Sequence, residues 1–355
     1  MQGLFRFFET LLRFLESLLR FLESLLVPRE PKMESLISKK TLSETDERIP
    51  DALRLAFGIR YRASRAPRSG QPDEIANFAA VLLPPRSQAQ ADGADDDVCT
   101  DDDGTAPLWD LRMEFGSCYL KDHDEDAHFV HDETGVVGVA DGVGGYRDQG
   151  VDAGAFAQGL MRSAHEEAVT ALPGTNVCPH TLLERAYQKA AASPTPAAST
   201  AVILSLAGRT LRWAYVGDSG FAVFRGGVLL RRSRKQQRRF SCPLNLKAAG
   251  GETTVVADAE VGEVPAKAGD VVVVSTDGLF DNVFDDELER IVRMGTAMGF
   301  SPLNMAEVIA AFAHETARCT YRDTPYSVEK RKQRGAASTG GKPDDITVVV
   351  AFIVS

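Results

Sequence analysis

Cysteine, tryptophan, an excess of positive charge and long apolar runs are all scarce or missing in this chain of 355 residues. Its 5 cysteines (Cys99, Cys118, Cys178, Cys242 and Cys319) are scattered and form no Cys-x-x-Cys pair. An odd, dispersed set excludes a disulfide framework and a zinc knuckle, and reads as reduced thiols in an intracellular compartment. Lys and Arg total 40 against 50 Asp and Glu, a formal net charge of −10. That balance argues against nucleic acid as a partner, because a general binder needs a positive surface to meet phosphates. No stretch approaches the ~18 consecutive apolar residues of a membrane-spanning helix. What remains, 44% hydrophobic and 25% charged residues, is the composition of an ordinary globular protein.

The first segment is organised differently from the rest. Residues 4–26 run LFRFFET, LLRFLES, LLRFLES, LL, a heptad repeat. On a helical wheel its apolar positions cover an arc of ~160°, too wide for a two-position coiled-coil seam. Arg6, Arg13 and Arg20 share the opposite face with Glu9, Glu16 and Glu23. Residues 1–32 therefore read as an amphipathic helix with three open placements: on a membrane surface, in a self-associated bundle, or against the rest of the chain. The recurring charges argue against a secretory signal, and the acids argue against an organelle transit peptide. Residues 33–111 read as a low-order linker. Arg54, Arg60, Arg62, Arg65 and Arg68 make its first part basic, and Asp92, Asp95, Asp96, Asp97, Asp101, Asp102 and Asp103 make its end acidic. Blocks of like charge repel and stay solvated, and this one lacks the alternation and terminal Glu of an EF-hand loop.

From residue 112 onward, Val-rich strands end in aspartate. TGVVGVADGVGG (134–145) stops at Asp141-Gly142, and LRWAYVGDSGFAVFRGG (211–227) turns at Gly217-Asp218-Ser219. DVVVVSTDGLFDN (270–282) empties into Asp277-Gly278 and Asp281, and GKPDDITVVVAFIV (341–354) places Asp344-Asp345 just before a terminal strand. Residues 152–171, 181–192, 286–298 and 303–318 carry apolar residues at helical spacing between them. Carboxylates gathered from separate strand ends raise one another's pKa, so a shared pocket needs cations. With oxygen ligands and no Cys/His pairing nearby, hard ions such as Mg²⁺ or Mn²⁺ fit better than zinc. Two such ions can lower the pKa of a bridging water and present hydroxide to phosphorus.

These residues resemble the metal-dependent protein phosphatases of type 2C, over residues 112–355. The resemblance rests on DEDAHF (124–129), VADGVGG (139–145), STA (199–201), VGDSG (216–220), STDGLFDN (275–282) and KPDDIT (342–347). The phrases DGVGGYRDQGVDAGAFAQGLM and GDSGFAVFRGG further resemble the compact branch that includes mitochondrial and plant organelle phosphatases. The resemblance implies an α+β fold, a β-sandwich of two antiparallel sheets flanked by α-helices, with the metals in a cleft at one end. It implies a protein serine/threonine phosphatase acting on phosphoproteins with two Mg²⁺ or Mn²⁺ ions and a weaker third. Asp141 then bridges both metals, the Gly142 carbonyl adds a ligand, and Asp277 and Asp344 complete the second site, with Asp345 open as the alternative to Asp344. Glu125 and Asp126 correspond to the family's early acidic pair, which holds metal-bound waters. Asp218 and Asp281 correspond to third-metal positions, and Thr347 to a polar support of the terminal aspartate. Plastid or mitochondrion is the implied compartment, with nucleus and cytosol as the other readings.

Two positions depart from the family pattern. Lys121 stands where the phosphate-binding Arg is expected, keeping the charge but losing the bidentate fork. Val143 replaces a His proposed as general acid, a role worth ~10²–10⁴-fold. These departures keep alive a pseudophosphatase that binds phosphoproteins without turnover. A different class of rival is a membrane-docked regulator whose function lies in residues 4–26. Taken singly, Asp141 or Asp218 would be a turn residue, and His123, His128 and His131 exposed loop histidines. Trp213 and Phe280 read as core. The basic run RRSRKQQRR (231–239) reads as a solvated loop, a docking patch for acidic segments or a nuclear-import tag.

Overall fold

The computed structural model describes residues 111–145, 152–171, 176–192, 196–248, 256–335 and 338–355. The heptad segment 4–26, residues 33–110 of the linker and Cys99 lie outside the described residues.

Alternating and continuous apolar runs of Val, Ile and Ala form two five-stranded antiparallel sheets. The first has the order β1 (Arg112–Leu120), β14 (Ile346–Val354), β13 (Val271–Ser275), β7 (Gly220–Arg225) and β8 (Val228–Arg232). The second has the order β12 (Glu260–Pro265), β6 (Thr210–Val216), β5 (Ala201–Ala207), β3 (Val136–Asp141) and β2 (Asp126–His131). Central strands β5 and β13 are buried on both sides, which explains their unbroken apolar sequences. The sheets face each other across one core. Val137, Val139, Val202, Leu204, Trp213 and Tyr215 from one meet Phe221, Val223, Val272, Val274, Val349 and Ile353 from the other. Trp213 is thus a core residue, 4% exposed, with its ring 4.9 Å from that of Phe221.

Helices cover the outer faces. The pair α1 (Ala153–Thr170) and α2 (Pro179–Ala190) buries Phe156, Leu160, Met161 and Leu183 against the β3 and β5 side. Asp152 caps α1, its Oδ1 accepting from Gly154 N at 3.0 Å. The short α3 (Asp277–Phe280) leads to α4 (Asp285–Ala297), and α5 (Pro302–Arg318) lies over β1 and β14. The expected α+β sandwich with flanking helices is therefore the observed architecture. The helices predicted at 152–171, 181–192, 286–298 and 303–318 all form. Two more lie outside those ranges, the one-turn α3 and the longer α6 (Pro325–Arg334). The second is the one without a periodic signal. Its sequence, PYSVEKRKQR, is too polar to show an apolar stripe, and it is set instead by the Thr324–Ser327 capping box and the left-handed Gly335. Short strands β4 (Ala197–Ser199), β9 (Gln237–Arg239), β10 (Cys242–Pro243) and β11 (Leu246–Ala248) complete the set. Among the described residues no helix is long and apolar enough to cross a membrane.

The docking of α5 depends on a missing side chain. A Cβ at Gly116 in β1 would overlap the backbone of Pro302 and Leu303 at the start of α5, and backbone cannot yield as a side-chain tip can. Gly116→Ala is expected to cost about 2 kcal/mol of unfolding free energy, read by urea denaturation.

Candidate functional site

Strand register brings the aspartates together. Asp126 opens β2 directly opposite Asp141, which closes β3. In the other sheet Ser275, the last residue of β13, pairs with Gly220 at the start of β7 and with Val348 in β14. That places Asp218 just before β7, Asp277 just after β13 and Asp344 just before β14 at one end of the sandwich. Hydrogen bonds tie the two sheets at this end. Asp141 N donates to Thr200 Oγ1 at 3.1 Å, and Thr200 N donates to Asp141 O at 2.9 Å. Thr200 Oγ1 lies 2.6 Å from Ser219 Oγ, linking the STA and GDSG motifs across the gap between sheets. Thr276 Oγ1 donates to Asp126 Oδ2 at 2.7 Å and accepts from Thr347 N at 3.2 Å. Thr347 thus acts through its backbone on Thr276, not on Asp344.

Glycine permits the closest approaches. A Cβ on Gly142 would overlap the Ala153 carbonyl at the start of α1, and one on Gly278 would overlap the Asp345 carbonyl.

Asp344 and Asp345, equivalent by sequence, have different environments. Asp345 is 2% exposed and spent on backbone donors. Its Oδ1 accepts from the N–H groups of Asp122 (2.5 Å), His123 (2.8 Å) and Asp124 (3.2 Å), and its Oδ2 from Glu125 N (2.6 Å). Burial would raise its pKa, but these donors outweigh it and hold the carboxyl below its ordinary value. Asp345 therefore fastens the 122–125 turn, which includes the left-handed Asp124, while Asp344 keeps its carboxylate for the cluster.

The cluster carries more negative charge than the chain neutralises. Burial, then the carboxylates of Asp277, Asp126, Asp344 and Asp218, push the Asp141 carboxyl well above the ordinary range. Burial does the same to Asp126, Asp218 and Asp277, against the pull of Lys342 at Asp277. Asp126 Oδ1 and Asp218 Oδ1 are buried with no hydrogen-bond partner among the described residues. Buried oxygens of this kind, on hard carboxylate donors, are what an oxygen-preferring divalent cation satisfies. As the side chains stand, no three His, Cys, Asp or Glu donors among the described residues close to metal-binding distance. Lysine provides the cations instead. Lys342 Nζ is 2.6 Å from Asp277 Oδ2, 2.8 Å from Asp344 Oδ2 and 3.2 Å from Asp281 Oδ2. Lys235 pairs with Asp281 from the other side. Burial would raise Asp281, but these two ammonium groups hold its carboxyl below its ordinary value.

Lys121 lies at the margin, 60% exposed, paired with Asp124 at 2.6 Å and 5.4 Å from the Tyr119 ring centre. His128 bonds Ser117 Oγ at 3.1 Å and His131 bonds Thr134 Oγ1 at 2.8 Å, both away from the aspartates, whereas His123 Nδ1 comes within 3.8 Å of Asp344. The basic run is partly built into the fold. Arg232 stacks on Phe280 at 3.5 Å, Lys235 holds Asp281, and Gln237 Nε2 donates to Asp218 Oδ2 at 2.8 Å, leaving Arg231, Arg234, Arg238 and Arg239 outward.

Comparison with known proteins decides the lineage. Residues 131–353 match the family model of Stage II sporulation protein E (SpoIIE). "Putative protein phosphatase 2C 24" of Oryza sativa subsp. japonica is 52% identical over 319 residues, 89% of this chain and 98% of that protein. "Putative protein phosphatase 2C 23" from the same plant is 50% identical over 332 residues, 92% of this chain and 99% of its own. The chain belongs to the protein phosphatase 2C family. A solved member, the photosystem II phosphatase PBCP, superposes with a TM-score of 0.58 at 30% identity, covering 68% of this chain and 98% of its own.

Within this phosphatase 2C chain, Lys342, Gln237 and Thr276 are the site residues that sequence reasoning passed over. Lys342 and Thr276 both stand inside motifs that carried the resemblance. Nothing in the spacing marks a lysine beside two aspartates as turned inward, because charged neighbours in a loop usually face solvent.

Two substitutions separate framework from cluster. Asp345→Ala strips an acceptor from four backbone N–H groups and is expected to cost about 3 kcal/mol, seen as a large drop in Tm. Asp141→Asn in EDTA is expected to raise Tm near neutral pH, because the raised folded pKa means that the ionised carboxylate opposes folding there. The gain should vanish below about pH 4, where the Asp is protonated folded and unfolded alike.

Proposed function

We propose that this chain is a metal-dependent protein serine/threonine phosphatase. The observation that carries the reading is the convergence of Asp126, Asp141, Asp218, Asp277, Asp281 and Asp344 on one end of the sandwich, with buried oxygens left unsatisfied. Asp141, Asp277, Asp344 and the Gly142 carbonyl would hold two Mg²⁺ or Mn²⁺ ions, Glu125 and Asp126 would take hydrogen bonds from the surrounding waters, and Asp218 and Asp281 would serve a weaker third site. When bound, such ions supply a nucleophilic water and neutralise the phosphoryl oxygens. The protein's own part is positional. Thr200 and Ser219 lock the two sheets, Thr276 orients Asp126, and Asp345 fixes the turn that presents Glu125. A preorganised site of this kind acts mainly through electrostatics and requires no general acid at Val143.

A cavity of about 460 Å³ shares Lys235 with the cluster and is lined by Arg232, Phe280, Phe284 and Pro325. Asp285 and Asp286 line it as well, so a phosphoprotein segment would meet an apolar surface of mixed charge there. The expected substrate is a phosphorylated protein. That PBCP is a photosystem II phosphatase favours a plastid address for this chain over a mitochondrial one. A full-length fluorescent fusion appearing in any other compartment would remove that address.

The full chain is expected to hydrolyse a phosphothreonine peptide with Mn²⁺ and to stop in EDTA. Asp277→Ala should lose at least about a hundredfold in kcat/KM. A chain that binds Mn²⁺ by calorimetry but never turns over would be the pseudophosphatase, the reading that the exposed Lys121 and Val143 favour.

A further inference from the structure

Lys342 stands where its ammonium competes for the very oxygens a divalent ion would need. One nitrogen reaches three carboxylates, Asp277 at 2.6 Å, Asp344 at 2.8 Å and Asp281 at 3.2 Å, with the side chain only 26% exposed. These acids come from the end of β13, the end of α3 and the approach to β14, so the lysine stitches together the loops that form the cluster. Its backbone is clamped. Lys342 N donates to Asn282 Oδ1 at 2.8 Å, and Lys342 O accepts from Asn282 Nδ2 at 2.9 Å. Asn282 is wholly buried and also donates to Gly278 O at 2.8 Å, so the root of the lysine is tied to the Asp277-Gly278 turn itself. The inward course of the side chain is therefore set by the fold.

A single positive charge cannot balance three carboxylates, and a divalent ion balances more. The two cannot share the site. Mg²⁺ takes carboxylate oxygens at about 2.0–2.1 Å, so an ammonium bonded to those oxygens would lie within a few ångströms of it. Like charges at that separation repel strongly in a partly dry cleft. We propose that Lys342 is the resident counter-cation of the metal-free centre, expelled when a divalent ion enters, and that it thereby sets the metal affinity of this chain. The proposal rests on the reading above, in which Asp277 and Asp344 hold the ion.

The test is calorimetric titration of Mn²⁺ into the full-length protein after EDTA treatment and desalting, comparing wild type, Lys342→Met and Lys342→Arg. Lys342→Met is expected to bind Mn²⁺ about tenfold tighter or more. Its metal-free Tm should fall, while Lys342→Arg keeps a Tm near wild type. Equal or weaker binding by Lys342→Met would overturn the proposal and leave the metal reading standing. No binding by either protein would overturn both. Because Lys342→Met loses three ion pairs and could fail to fold, a second measurement uses wild type alone. Acylation of lysines by acetic anhydride, read by peptide mass spectrometry, should label Lys342 severalfold faster with Mn²⁺ than without. Labelling that stays flat or falls on adding Mn²⁺ would overturn the proposal.

Discussion

The aspartates at one end of the sandwich impose the constraint on which the rest of the structure depends, because buried negative charge must find positive charge or lose its ionisation. Desolvation of a lone carboxylate is costly, and neighbours of the same sign add to the cost. The chain gathers such groups from β2, β3, α3 and the loops before β7 and β14, and sets Lys235 and Lys342 directly against them. Burial, first of all, raises the pKa values of Asp126, Asp141, Asp218 and Asp277, and neighbouring carboxylates add to it. Such a site is unfavourable for stability and useful for chemistry, the usual relation where a protein holds a charged centre ready for a cation.

The framework that bears this charge is itself hydrogen-bonded and apolar. Valine and alanine ladders in β5, β13 and β14 bury both faces, so their ends are placed by the sheets and cannot drift apart. At the open end, short polar side chains take over. Thr200, Ser219, Ser275 and Thr276 are all at most 1% exposed, and their hydroxyls bond to one another, to Asp126 and to the backbone. Buried polar networks specify geometry when every member is satisfied. Here they hold the two sheets in a fixed relation, and the aspartates inherit that relation.

The basic segment after β7 shows one stretch of sequence divided between scaffold and surface. Arg232, packed on Phe280 and pushed down to about 10 by burial, is part of the wall. Lys235 and Gln237 reach Asp281 and Asp218, so the segment is pinned to the acidic centre by residues from within the basic run.

Much of this was legible before any coordinates. Val-rich runs ending in Asp-Gly identified the strands and the acidic end together, because a strand period and a turn residue are local properties of the chain. The four helices with apolar stripes were legible for the same reason, and α6 was not, since its signal lies in caps at Thr324 and Gly335 and its body is polar. The choice between Asp344 and Asp345 was beyond the sequence. Adjacent residues point to opposite sides as the chain enters β14, and only the packing of the 122–125 turn against one of them settles which stays with the cluster. The inward course of Lys342 belongs to the same class. Its clamp is Asn282, distant in sequence and adjacent in space, and an ion pair of that kind exists only once the sheets have been brought together. Sequence alone determined the fold class through the motifs that carry the family resemblance, and marked the strand-end aspartates as candidates. Tertiary structure decided the charge balance, because that depends on which groups share a low-dielectric space.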